Sequence, residues 1–197
     1  HIMRDAIADR RWTHGLDRPR TLVHPGPVQP RRITSLCAPR GRHVRLAVLP
    51  GMSLLDGLVQ SLAALGITSA AINILGGEFE RIDYCVAPPD PTGRAAVAYS
   101  APIHAGRGYL LAANATLGEN EDGSPLLHCH GALRGEDGLV RGGHILPHAS
   151  IVGRRPLIAL VVALEGFAVR VGRDPETTLP LFQPMALRGR ETRAEAA

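Results

Sequence analysis

Three histidines in one glycine-rich stretch are the residues of this chain best suited to chemistry. His128 and His130 lie in the run Pro125–Arg134, His144 lies in Leu139–Leu146, and Gly135-Glu136-Asp137-Gly138 separates the two runs. Apolar-flanked runs joined by a short glycine-bearing turn have the pattern of a β-hairpin. Side chains alternate along a strand, so His128 and His130 share one face and Cys129 takes the other.

Whether His144 joins them is a question of register, because a slip of one residue turns a whole strand over. A two-residue loop at Glu136-Asp137 pairs His144 with Cys129 and divides the three histidines. A three-residue loop, Glu136-Asp137-Gly138, pairs Gly135 with Leu139 and His130 with His144. That loop needs a left-handed residue at its third position, where glycine is preferred, and Gly138 stands there. The expectation is therefore that His128, His130 and His144 converge on one face. Read singly, each is a surface or hydrogen-bonded histidine. Read together, three neutral imidazoles suit Zn²⁺ or another borderline divalent metal. Gly131, Gly142 and Gly143 either admit a ligand or another chain beside them, or ease a bulge.

Three protein ligands leave a fourth position open, as catalytic zinc requires, whereas structural zinc is normally closed by four. An open site lowers the pKa of bound water to roughly 7 and polarises a carbonyl or phosphoryl oxygen. Glu78, Glu80, Glu121 and His148 are the candidate bases, though the sequence does not place them. His148 reads as an exposed neighbour rather than a fourth ligand, since Pro147 ends the strand. His24 is a more remote candidate, reaching a neighbouring subunit's site from the N-terminal arm. Cys129 reads as a core residue. The residues name no reaction.

Elements that position this hairpin are legible around it. His43–Leu49 alternates as a first strand, ended by Pro50-Gly51. Ser53 has the place of an N-cap, with Asp56 three residues on. Leu54, Leu55, Leu58, Leu62 and Leu65 follow helical spacing to Gly66, predicting a helix over about 53–65. Further strands are expected at Ser69–Leu75, Phe79–Ala87, Ala95–Ala101, Gly108–Leu117, Leu157–Leu164 and Gly166–Val171. Short strands at this spacing with one early helix predict an α+β domain built on a mostly antiparallel sheet. The expected organisation is a proline-rich extended arm over 1–42, a domain over 43–172 and a tail over 173–197, in which Leu181-Phe182 is a docking candidate.

Of the 197 residues, 45% are apolar, ordinary for a chain with one sizeable core. The net charge of +4 is uneven: residues 1–45 carry ten arginines against Asp5, Asp9 and Asp17, while residues 46–197 carry twelve arginines against fifteen acids. All the basic side chains are arginine, more a compositional habit than a selected phosphate surface. Cys37, Cys85 and Cys129 are too few and too scattered for a disulfide framework and fit a reducing compartment. The longest apolar run, Pro156–Leu164, is too short to span a bilayer, and a cytoplasmic protein is expected. His1-Ile2 before Met3 has the look of a cloning remnant.

From about His43 to Val171 the order of motifs resembles the plants-and-prokaryotes conserved (PPC) domain in its bacterial and archaeal form. The matching residues are Leu49-Pro50-Gly51 before the leucine-rich helix, Leu65-Gly66-Ile67 and Leu75-Gly76-Gly77-Glu78-Phe79. Asp122-Gly123-Ser124-Pro125 then leads into His128-Cys129-His130, followed by Asp137-Gly138 and Gly142-Gly143-His144-Ile145-Leu146. The spacing from His-x-His to Gly-Gly-His is the most specific of them. The resemblance implies a curved antiparallel sheet, assembly as a homotrimer, and zinc bound at the positions matching His128, His130 and His144.

In plants the domain accompanies a minor-groove-binding hook of the form Arg-Gly-Arg-Pro. Here Pro39-Arg40-Gly41-Arg42-His43 lacks the final proline and runs into the first strand, and Arg188-Gly189-Arg190-Glu191 is poorer still. Two readings of function follow. One is a metal-binding protein whose site faces a pocket for a small molecule or anion, possessing or lacking an enzymatic activity. The other is a DNA-associated or scaffolding protein with a structural metal and a basic arm supplying phosphate contacts. The arm holds Trp12 as its only aromatic residue, which offers little stacking for single strands. A cupin barrel also carries His-x-His, but Arg134 stands near where that pattern wants a glutamate, and the early helix fits it poorly.

Overall fold

Strand alternation and a single capped helix sort the apolar residues onto one side of a sheet. The structure is a computed structural model and describes residues 22–31 and 34–187. The strands are β1 (His43–Val48), β2 (Ala70–Ile74), β3 (Gly77–Arg81), β4 (Asp83–Cys85), β5 (Ile103–His104) and β6 (Gly108–Glu119). They continue as β7 (Pro125–Gly135), β8 (Val140–Ile145), β9 (Ile151–Val152), β10 (Leu157–Ala163), β11 (Phe167–Asp174) and β12 (Leu179–Ala186), with one helix among the described residues, α1 (Leu54–Ala63). The main path of the sheet runs β1-β10-β2-β6-β7-β8-β4-β5, and nearly every pairing is antiparallel. This is the α+β architecture expected. The path ends on β1 and β5 rather than closing as a cupin barrel does.

The helix begins where its cap predicts. The Asp56 amide donates to Ser53 Oγ at 3.0 Å, and Ser53 Oγ donates to the Asp56 carboxylate at 2.8 Å. Leu54, Leu58 and Leu62 are fully buried against the sheet. A Cβ on Gly57 would stand 2.2 Å from Val48 Cγ1, so this glycine lets β1 close on the helix. Ile72, Ala113, Ala115, Leu127, Cys129, Leu133, Ile145 and Val161 complete that core from the sheet side. Their strand neighbours, the histidines among them, necessarily take the opposite face.

Three segments depart from the sequence reading. Phe79–Ala87 is two strands, not one. At Ile82, whose amide donates to Gly106 O at 2.9 Å, the chain leaves β6 and β9 and passes to β8 and β5. Ala95–Ala101 is a loop with one isolated bridge, Pro89 to Val97. The segment it faces carries Pro88, Pro89 and Pro91, which have no amide to donate, so a ladder does not form, and the Asp90 carboxylate collects the amides of Thr92, Arg94 and Ala95 instead. Beyond residue 172, β12 pairs with β11 from Phe167↔Ala186 to Asp174↔Leu179. Pro180 and Pro184 disguise this strand, but β12 pairs with β11 alone, an edge position where missing donors are tolerated.

The first described part of the arm, from His24 to Gln29, lies against the β11–β12 turn. His24 Nδ1 is 2.7 Å from Glu176 Oε1, and Gly26 and Gln29 donate main-chain bonds to the same glutamate. Arg42 pairs with Glu165 and donates to Leu65 O at 2.9 Å, so the hook-like segment is docked on the body. Trp12 and Arg188-Gly189-Arg190 lie outside the described residues. Among the described residues no helix is long and apolar enough to cross a membrane.

Candidate metal centre

The β7–β8 turn has the three-residue form. The Gly135 amide donates to Leu139 O at 3.1 Å, the Gly138 amide donates to Gly135 O at 3.0 Å, and Gly138 sits at φ +76°. Asp137 holds the turn, accepting from the Leu139 amide at 3.0 Å and pairing with both terminal nitrogens of Arg141. Those contacts, Arg141's first, hold the Asp137 carboxyl down at about 2. With this turn Cys129 faces Ile145 and His130 faces His144.

The three imidazoles converge. His144 Nδ1 lies 3.4 Å from His130 Nε2, and one ligand atom from each of His128, His130 and His144 falls within 4.8 Å of the others. The His128 ring centroid is 4.7 Å from those of both His130 and His144. Burial, with the other two histidines adding to it, pushes the His144 imidazole down to about 4; burial and then His130 lower His128. Both are therefore neutral near pH 7, with lone pairs available to a metal. Two zinc–nitrogen bonds of about 2.05 Å at the tetrahedral angle set their nitrogens roughly 3.4 Å apart. The His130–His144 separation already has that value, so this pair fits one edge of a tetrahedral site, with a His128 ligand atom within 4.8 Å of both.

Around this trio stand residues that the sequence did not connect with it. Cys85 is directly opposite His144 in the β4–β8 pair and so shares its face. Tyr99, from the loop before β5, sets its ring edge-on to His144 at 5.4 Å. Burial, and secondarily Cys85, push its phenol up. Phe182 of β12 approaches His128 edge-on at 6.3 Å. On the β6 side Asn114 faces His130 and Thr116 faces His128, with Asn114 Nδ2 donating to Asn73 Oδ1 at 2.8 Å. The trio is thus walled by two aromatic edges, a thiol and a polar pair. No local signal marks Cys85 or Tyr99, since their positions depend on the switch of partners at Ile82.

The other candidates lie elsewhere. Glu78 and Glu80 are engaged by Arg154 and Arg107, Glu121 is exposed near the β6–β7 turn, and His148 is exposed in the turn after β8. None of them belongs to the metal-competent group among the described residues. His24 is held at Glu176. Cys129 is fully buried in the core, and that burial raises its thiol to about 12.

The sequence matches the model of the Plants and Prokaryotes Conserved (PCC) domain over residues 36–159, and the chain belongs to that family. No protein of curated description matches the chain in sequence. A solved metal-containing protein from Archaeoglobus fulgidus is similar to this fold with 22% identity and a TM-score of 0.59, over 77% of this chain and 98% of its own. A plant- and prokaryote-conserved protein from Pyrococcus horikoshii matches with 22% identity and a TM-score of 0.57, over 82% and 100%. A structure from Ralstonia eutropha, described as that of a candidate DNA-binding protein, matches with 19% identity and a TM-score of 0.56, over 71% and 89%. At these identities the likeness establishes the fold.

Proposed function

We propose that this chain is a metal-binding PPC-domain protein in which His128, His130 and His144 hold one divalent ion, zinc by the chemistry of the donors. The observation that carries the reading is the His130–His144 nitrogen separation of 3.4 Å, the edge of a tetrahedral zinc site. A bound ion with an open fourth position supplies a Lewis acid for an oxygen-bearing small molecule or anion. The chain's own contribution is orientation of what binds there. Tyr99 and Phe182 present ring edges beside the trio, and Asn114 offers an amide directly across from His130.

Assembly into a homotrimer belongs to the same reading. Its support is that Leu160 (41% exposed) and Val162 (36% exposed) lie on the sheet face that carries the histidines, where a second copy would cover them. Metal analysis of tag-free protein tests the metal assignment: about one zinc per chain is expected, and the absence of any stoichiometric divalent ion overturns it. Light scattering tests the trimer, with Leu160→Arg expected to give smaller species.

A DNA-associated role with a structural metal is the second reading. It is favoured by the Ralstonia relative's description and by the excess of arginine in residues 1–45. Salt-titrated DNA binding, comparing the full chain with a version starting at His43, decides it. Binding lost with the arm supports this role, and no binding at moderate salt ends it.

A further inference from the structure

Four residues along β7 from His130, about 13 Å at ~3.3 Å per residue, the same sheet face carries a second cleft. Its volume is about 610 Å³, and Gly76, Gly77, Glu78, Tyr109, Arg154 and Arg155 line it. Gly76 keeps the floor bare: at φ +103°, an added Cβ would come within 2.7 Å of the carbonyl oxygens of Leu110 and Leu111. Tyr109 is 51% exposed and stands directly between Glu78 on β3 and Arg134 on β7.

The charges around that ring are unbalanced. Arg154 reaches Glu78 only at 3.4 Å, and neither Arg155 nor Arg134 has a carboxylate partner among the described residues. An arginine fork matches phosphate oxygens two at a time, and two arginines, Arg154 and Arg155, line this cleft. A bare phosphate would fill little of the cleft, whose size is in the roughly 300–1,000 Å³ range of small-molecule sites. The half-exposed ring of Tyr109 in the cleft lining suits a stacked heterocycle. Glu78 is an acceptor for sugar hydroxyls between the two.

We infer that this cleft binds a phosphate monoester carrying a planar ring, of mononucleotide size. Arg154 and Arg155 take the phosphate, Tyr109 takes the ring and Glu78 takes the hydroxyls. The site stands on its own residues and does not depend on metal at the histidines.

Calorimetric titration of the full chain with adenosine 5′-monophosphate and, separately, inorganic phosphate tests it. Saturable binding of the nucleotide at one site per chain is expected, with phosphate competing more weakly. Arg155→Gln should weaken both ligands about tenfold or more. Tyr109→Ala should weaken the nucleotide by a similar factor and leave phosphate unchanged. His130→Ala should leave both unchanged, which separates this site from the metal centre. Absence of saturable nucleotide binding up to about 10 mM overturns the inference, as does binding that neither variant changes. Phosphate bound as tightly as the nucleotide overturns the assignment of the ring.

Discussion

His130 and His144 stand directly opposite each other in the β7–β8 pair, with facing nitrogens 3.4 Å apart. Their meeting depends on one turn. In the three-residue form, residue 130 pairs with 144; a register shifted by one residue puts His144 on the core side, against the helix. Inserting one residue between Glu136 and Gly138 should therefore abolish metal binding while the protein keeps its β-rich circular dichroism. Retained stoichiometric metal in that variant would show that the register does not govern the site.

Gly138 itself is the most sensitive turn position. Its φ of +76° costs a non-glycine residue about 1–2 kcal/mol, more for a β-branched one. Gly138→Val should lower the unfolding midpoint by several degrees, about 2–4 °C per kcal/mol for a chain of this size. Gly138→Asn should lower it less, since asparagine tolerates that region. Thermal denaturation of the two variants checks the order.

Each ligand histidine should matter separately. Loss of an outer-shell partner costs roughly 10- to 100-fold in metal affinity, so His128→Ala, His130→Ala or His144→Ala should each exceed about 100-fold. At roughly a thousand times its dissociation constant, zinc should stabilise the native chain by about 4 kcal/mol, or about 10 °C. Chelator should remove that increment from the native chain and change nothing in the alanine variants. A melting curve with and without chelator reads both.

Acid should loosen the hairpin from its turn. Asp137 is held at about 2 in the folded protein, chiefly by Arg141, and ionises near 3.9 when unfolded. The native state therefore binds fewer protons than the unfolded one between those values. Its contribution is complete above about pH 4 and is lost as pH falls towards 2. Asp137→Asn should remove that part of the pH dependence and lower stability at neutral pH towards the acid value. Urea midpoints at pH 7, 4 and 3 measure the difference.

Asp83 is a different case, a carboxylate 1% exposed beneath Arg81 and His104. Burial alone would raise its pKa, but hydrogen bonds from Arg81 and His104 outweigh that and hold it below the usual range. Ser150, fully buried, accepts from the Asp83 amide at 3.2 Å and donates to its carbonyl at 3.3 Å. Ser150→Ala should destabilise by about 1–3 kcal/mol, because it leaves a buried amide without a partner. Asp83→Asn should also destabilise, less than a deep ion pair would, because Arg81 and His104 are more than half exposed and free to turn to water. Equilibrium unfolding in urea distinguishes them.

The sequence by itself determined what depends on short-range geometry. A Ser53 cap, leucines at helical spacing and Gly66 define α1, because capping and periodicity act within a few residues. The His-x-His alternation and the glycine at the third turn position define which faces meet in β7–β8, because a hairpin's register is set by its own loop. Tertiary structure decided everything that required distant partners. Nothing near Cys85 or Tyr99 indicates that they flank His144. That proximity follows from the chain leaving β6 at the end of β3 and pairing with β8 through β4, a choice made between strands about sixty residues apart. Phe182 reaches His128 only because β12 folds back on β11 past two prolines that argue locally against a strand. Hairpin contacts are local in the chain and so legible, whereas long-range pairings are selected by the packing of the whole sheet.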